Sequence, residues 1–144
     1  MNLPYRAEQL SCPQCWLVVS PGDLSWALNR GLTPSVATGP EADHTTDSIS
    51  GSYLYLESSN SGQPSKLYTP EFDLTTIDTP VVSFWYHMFG ATMGSLDFQV
   101  RTGQGSWLSI ARLSGQQHYS TSEGWKRWWW MYVSLYLTTS NLDL

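Results

Sequence analysis

Charge is scarce in this chain. Asp, Glu, Lys and Arg supply only 13% of its 144 residues, about half the usual share. Seven of these are Lys or Arg and twelve are Asp or Glu, for a formal net charge of −5. A surface that tracks nucleic-acid phosphates needs clustered cations. Arg101, Arg112, Lys126 and Arg127 are too scattered to form a basic stripe, so nucleic acid is not an expected partner. Long apolar runs are missing as well. The strongest, residues 128–133, falls far short of the roughly 18 residues that read as a membrane span, so this segment is not expected to insert directly into a membrane. The N-terminus, Met1-Asn2-Leu3-Pro4-Tyr5-Arg6, lacks the charged and then apolar pattern of an export signal. Catalytic motifs are absent too: there is no G-x-S-x-G and no H-E-x-x-H. His87 has no nucleophile or orienting carboxylate marked beside it, and nothing singles out a carboxylate pair for glycoside hydrolysis. We therefore expect a chain without enzymatic activity of its own, at most an accessory domain of a larger secreted enzyme.

Cysteine is limited to Cys12 and Cys15, spaced C-x-x-C. That spacing suits a redox pair, half a zinc site or one local disulfide. A redox pair belongs at a helix start after a βαβ-type strand, and no such pattern surrounds it. Zinc needs two more ligands, whereas His44, His87 and His118 stand isolated in the sequence. A structural or incidental role is the preferred reading, with the disulfide, metal and redox alternatives open.

Aromatics are what the chain has in abundance: they reach 14%, with eight Trp and eight Tyr, within a hydrophobic share of 41%. That composition excludes disorder, which needs few aromatics and high net charge. The length suits one domain with a real core, residues 1–144. Period-2 alternation recurs, while helical periodicity is nearly absent. In Ser95-Leu96-Asp97-Phe98-Gln99-Val100-Arg101, the residues Leu96, Phe98 and Val100 share one face and Asp97, Gln99 and Arg101 the other. This reads as a strand packed on a core from one side. Residues 81–89 are apolar on both faces and read as a central strand covered from both sides. Gly90 and Gly94 then bracket a turn expected to form a hairpin with the Leu96 strand. Residues 107–113 follow the turn Thr102-Gly103-Gln104-Gly105, and residues 125–137 read as one long strand. Turn signals at Ser20-Pro21-Gly22-Asp23, Gly39-Pro40, Asn60-Ser61-Gly62-Gln63-Pro64, Asp78-Thr79-Pro80 and Ser114-Gly115 separate these runs. Short strands at this spacing predict an all-β sandwich or barrel of antiparallel sheets.

The order of motifs resembles the MAM domain, an extracellular module of meprin-like proteases, neuropilins and receptor phosphatases. The resemblance rests on Leu3-Pro4-Tyr5, Cys15-Trp16, Asp23-Leu24-Ser25-Trp26, Thr33-Pro34, Thr38-Gly39-Pro40 and Asp43-His44-Thr45. It continues through Tyr53-Leu54-Tyr55-Leu56-Glu57, Leu67-Tyr68-Thr69-Pro70, Phe84-Trp85-Tyr86-His87-Met88-Phe89-Gly90, Gly94-Ser95-Leu96, Trp107, Leu113-Ser114-Gly115-Gln116-Gln117 and Trp125. It implies an antiparallel jelly-roll β-sandwich at the cell surface or outside the cell. The expected task is adhesion or recognition of a protein partner, a second copy of the same domain included. The N-terminal motifs look like the form found in bacterial multidomain secreted proteins. The chain stops at Asn141-Leu142-Asp143-Leu144 where the family has further strands, so the resemblance implies a sandwich short of its last strands and a piece of a longer protein. Cys12 lies too close to Cys15 to stand for the family's first cysteine, which puts the usual disulfide in doubt.

Several such folds hold a structural cation, and calcium takes six to eight oxygens, mostly from loops. By position the candidates here are Asp43, with Glu8 or Asp23 from the N-terminal region. The blander role for Asp43, and the preferred one, is to cap a turn through its own backbone, and His44 is expected to be a hydrogen-bonded core or loop residue. A glycan is the alternative partner, stacked on exposed rings; Trp107, Trp129 and Tyr119 are the candidates for such a platform. Within Trp128-Trp129-Trp130, the first and third indoles share one strand face and Trp129 takes the other, so one face is expected to be core. Tyr53 and Tyr55 share a face in the same way.

Overall fold

A computed structural model describes residues 17–19, 26–57, 64–69, 71–72, 74, 80–131 and 142–143. Where side chains alternate, strands form: β1 (Leu17–Val19), β2 (Ala27–Asn29), β3 (Tyr53–Tyr55), β4 (Lys66–Tyr68), β5 (Val81–Tyr86), β6 (Ser95–Thr102), β7 (Leu108–Ser114), β8 (Lys126–Met131) and β9 (Leu142–Asp143). No helix occurs among the described residues. Among the described residues the strands pair antiparallel: β1 with β4, β2 with β3, β5 with β8, and β6 with both β7 and β9. Partners such as β5 and β8 are distant in sequence, as the long connections of Greek-key architectures require. The fold is the all-β, antiparallel jelly-roll β-sandwich expected from the strand pattern and the resemblance.

The register of β5 on β8 decides which aromatics become core. Phe84 lies opposite Trp128, Ser83 opposite Trp129 and Val82 opposite Trp130. Because successive side chains point to opposite faces, Phe84 and Trp128 turn inward together. Phe98 on β6 meets both from the facing sheet. Its ring centroid is 5.3 Å from that of Phe84 and 5.1 Å from that of Trp128, while Phe84 and Trp128 are 5.2 Å apart. This three-ring cluster bridges the two layers, with Val100 and Met88 buried among the apolar core. The alternation expected in Trp128-Trp129-Trp130 is therefore present: Trp129 faces outward and is 61% exposed.

Some strand expectations need correction. Residues 81–89 do not form a hairpin with the Leu96 strand; β5 ends at Tyr86 and pairs with β8, and Gly90 and Gly94 bracket a crossover to the other sheet. The reason is competition for the backbone beyond Tyr86. The Phe89 carbonyl accepts from Gly39 N–H at 3.0 Å, and the Met88 carbonyl accepts from Gln117 and His118 N–H at 2.8 and 3.0 Å. Those groups bind loops, not β6. Nor is β5 covered on both sides, since Trp85 remains partly exposed on its outer face. The turn after Thr102 does join β6 to β7, with a bulge between Phe98 and Gln99. β8 ends at Met131, and residues 132–137 of the expected long strand lie outside the described residues. So do Glu8, Asp23, Cys12 and Cys15.

Candidate recognition surface

Asp43 organises the long loop between β2 and β3. Its carboxylate is only 5% exposed and accepts four hydrogen bonds from its own loop. Oδ2 takes the N–H groups of Thr45 and Thr46, both at 2.9 Å. Oδ1 takes the Thr46 hydroxyl at 2.5 Å and the Ser48 N–H at 3.1 Å. Burial alone would raise its pKa, but the donors of Thr46, Ser48 and Thr45 together hold it below the ordinary carboxylate value. Gly51 lies against this clasp: a Cβ there would sit 1.8 Å from Asp43 Oδ1, so the sequence needs glycine. Thr33 ties the earlier part of the loop, bonding its hydroxyl to the Thr38 carbonyl at 2.7 Å. Gly39 follows with φ +62°, and a Cβ there would collide with Thr33 Cγ2 at 2.3 Å.

A second loop, residues 115–125, docks between this one and the end of β5. Trp125 is its anchor: the indole N–H donates to the Ala42 carbonyl at 3.0 Å, and the ring meets Tyr53 edge-on at 5.5 Å. The Thr121 hydroxyl bonds Glu41 Oε1 at 2.6 Å. Glu123 pairs with Lys126 at 2.9 Å and accepts from Tyr119 N–H at 2.6 Å. Lys126 also donates to the Gln117 carbonyl.

His118 of this loop stacks on His87, just beyond β5, at 4.1 Å with planes 27° apart, although the sequence shows them as isolated histidines. His118 is fully buried, and its Nδ1 accepts from Met88 N–H at 3.1 Å. His87 Nε2 faces the Glu123 carbonyl at 3.2 Å; a carbonyl only accepts, so Nε2 carries the proton. Burial, and then the neighbouring His118, push the His87 pKa down to about 4. His118 is likewise lowered by burial and by Lys126. Both rings are therefore neutral near pH 7.

The expected site residues do not gather in one place. Glu8 and Asp23 lie outside the described residues. The Asp43 oxygens point into its own loop, and among the described residues no group of three or more His, Cys, Asp or Glu side chains is arranged to hold a metal ion. Trp107 is half-buried against Tyr68 at 5.5 Å, with the Arg101 guanidinium 4.6 Å from its ring centroid. Tyr119 is 78% exposed on the 115–125 loop, with Lys126 Nζ 6.0 Å from its ring. Trp129 stands on the outer face of β5 and β8 beside Ser83 and Arg127, which hydrogen-bond to each other at 3.1 Å. Trp85, on the same face, has His44 stacked on it at 3.9 Å. His44 is thus a ring-stacked loop residue.

What the geometry offers is a surface for packing. Leu32 and Ile49 stand exposed and line one open depression with Arg30, Gly31 and Glu41. The bond from Thr121 to Glu41 brings the second loop to its rim. The sequence-based candidates missed this depression. A Leu and an Ile in a loop carry no periodic signal, and only the folded loop shows them unburied.

The sequence is similar to known proteins. The family model of the MAM domain, meprin/A5/mu, matches residues 7–141. Neuropilin-1a of Danio rerio is 31% identical over 113 residues, 76% of this chain and 12% of that protein. MAM domain-containing protein 2 of Mus musculus is 35% identical over 98 residues, 67% of the chain and 14% of the protein. MAM domain-containing glycosylphosphatidylinositol anchor protein 1 of Gallus gallus is 33% identical over 86 residues, 55% of the chain and 9% of the protein. The matched segment is thus a small part of each relative. These matches lend no support to a specifically bacterial form or to a shortened C-terminus.

Proposed function

Because the chain belongs to the MAM domain family, we propose that it is a recognition module that holds a protein partner outside the cell or at its surface. MAM domains are generally non-catalytic modules. The relative named for a glycosylphosphatidylinositol anchor supports the cell-surface setting. The observation that carries the proposal is the exposed pair Leu32 and Ile49, set in a depression whose walls are tied by side-chain hydrogen bonds. Two apolar side chains exposed side by side offer a small surface that a partner can cover, and a preorganised loop lowers the entropy cost of binding. A second copy of the domain is included among the partners to be tested.

A glycan reading has one favourable feature, the open indole of Trp129 beside the polar Ser83 and Arg127. It lacks a shared platform, since Trp107 and Tyr119 each have a cation against the ring. For Asp43 we favour the turn-clasp role over a calcium ligand, on the strength of its four internal donors.

The test is a binding screen of the purified chain against displayed ectodomains, itself and a glycan array, repeated with Ile49→Asp, Leu32→Asp and Trp129→Ala. We expect a protein signal that both charged substitutions abolish while the thermal midpoint stays unchanged. Glycan binding lost with Trp129→Ala, with no protein signal, would replace this proposal with the carbohydrate one.

A further inference from the structure

We propose that the stacked His87–His118 pair is an acid-sensitive latch, in which protonation of either ring requires the 115–125 loop to lift away from β5 and from the Asp43 loop. The inference is independent of what the surface binds.

The argument follows the protons. His118 Nδ1 already accepts the Met88 N–H at 3.1 Å, so the neutral ring carries its hydrogen on Nε2. A second proton would have to sit on Nδ1, pointed at another N–H. In His87 the Nε2–H is spent on the Glu123 carbonyl, and a second proton would arrive on Nδ1, a buried atom with no hydrogen-bond partner. A buried charged group without a partner is strongly disfavoured. The stack adds to this, since two cationic rings at 4.1 Å repel.

The backbones of Glu123 and Ser120 favour a protonated His87 and that of Gly124 a protonated His118, but burial outweighs them in both rings. Tyr86, from the end of β5, meets His118 edge-on at 5.7 Å and offers no charge. Glu123, from the loop itself, favours protonated rings, but its carboxylate is committed to Lys126 and the Tyr119 N–H. Lys126, from β8, opposes protonation of His118. From the Asp43 loop, Glu41 is engaged with this segment through Thr121. Opening the loop exposes both rings to water and restores their ordinary affinity for protons.

The direction is fixed by linkage. Each ring binds its proton more tightly in the open loop than in the closed one, so closure is fully stabilised above about pH 6.5 and weakens as the pH falls below it. For each histidine the open population grows by up to roughly tenfold per pH unit in that window. Opening breaks the bonds of Gln117 and His118 N–H to the Met88 carbonyl and of Trp125 to Ala42.

The experiment is hydrogen exchange on the full chain at about pH 7 and about pH 5, corrected for intrinsic rates and referenced to the β6–β7 amides. Wild type should lose protection across residues 115–125 by at least about tenfold while β6–β7 holds. The double variant His87→Gln, His118→Asn should show no such acid response. Gln keeps a donor for the Glu123 carbonyl, Asn keeps an acceptor for Met88 N–H, and neither titrates. Unchanged protection in wild type, or the same acid response in the double variant, overturns the latch. If the double variant does not close at pH 7, the ring resonances of wild type decide. Rings that protonate only as the loop amides lose protection uphold the latch. Rings that protonate near pH 6.5 with those amides still protected overturn it.

Discussion

Replacing Gly51 with alanine should collapse the clasp built by Asp43, and the size of the effect follows from the geometry. A Cβ at this position sits 1.8 Å from Asp43 Oδ1, 2.1 Å from Cγ and 2.7 Å from Cβ. No small shift relieves three contacts of that kind, so the carboxylate must swing away and release its four donors. A hydrogen bond to a charged group is worth about 1.5–3 kcal/mol. Thr45 and Thr46 are exposed, so water recovers part of this, and we expect a loss of about 2–4 kcal/mol. For a domain of this length that lowers the thermal midpoint by about 6–12 °C. Thermal melts of Gly51→Ala, Asp43→Ala and the double variant form the assay. If alanine acts by expelling the carboxylate, the double variant loses no more than Asp43→Ala alone, a coupling nearly as large as the single effect. The sign of the pH dependence is also fixed. Asp43 has its pKa lowered in the fold, so its contribution is present above its ordinary value of 3.8 and disappears as the pH falls through the depressed value. The gap between wild type and Gly51→Ala should therefore narrow in strong acid. Additive losses in the double variant, or a Gly51→Ala protein within about 0.5 kcal/mol of wild type, would show that the carboxylate does not hold the loop.

Two further outcomes follow from the same structure. Trp128→Ala removes the indole wedged between Phe84 and Phe98 and should cost about 3–5 kcal/mol, while Trp129→Ala on the outer face should stay within about 0.5 kcal/mol; denaturant melts measure both, and similar losses would refute the register. Chelation by EDTA and addition of calcium should leave the thermal midpoint unmoved if Asp43 is satisfied by its own loop, whereas stabilisation that grows with calcium concentration would restore the cation reading with Glu8 and Asp23.

Much of the fold was legible because strand burial writes itself into alternation. The run Leu96, Phe98, Val100 announced its inner face, and Trp128-Trp129-Trp130 announced that neighbouring indoles would part. What alternation does not carry is the partner of a strand. Residues 81–89 and 95–101 are close in sequence and both apolar, and the local reading joined them. The deciding contacts come from Gly39, Gln117 and His118, whose backbone donors carry no signal in their side chains. The site was less legible for a related reason. Asp43 could be read either as a loop clasp or as a ligand, because both roles use the same residue at the same place. His87 and His118 are separated by a whole hairpin, and no local pattern shows that one stacks on the other. Trp107 and Tyr119 looked available because exposure of a ring is not the same as a free ring face, and each has a cation beside it.

The two loops are long for strands this short. β2 and β3 contribute only three residues each, too little pairing to orient a long loop. Part of the orientation comes from β5 and the residues after it, through Trp85 and Phe89, and part from the region where β8 begins. Trp125 holds Ala42 and packs against Tyr53, and the adjacent Lys126 pairs with Glu123 and is the first residue of the strand whose Trp128 enters the core. Trp125 also meets His87 edge-on, so the Asp43 loop, the 115–125 loop and the residue after β5 meet at this indole. A change that leaves β5, β6 and β8 untouched can still move Glu41 and the rim of the Leu32–Ile49 depression, provided it loosens Trp125 or Thr121. The loop and the sandwich are then joined at Trp125, at the stack of His44 on Trp85 and at the bond from Gly39 to Phe89.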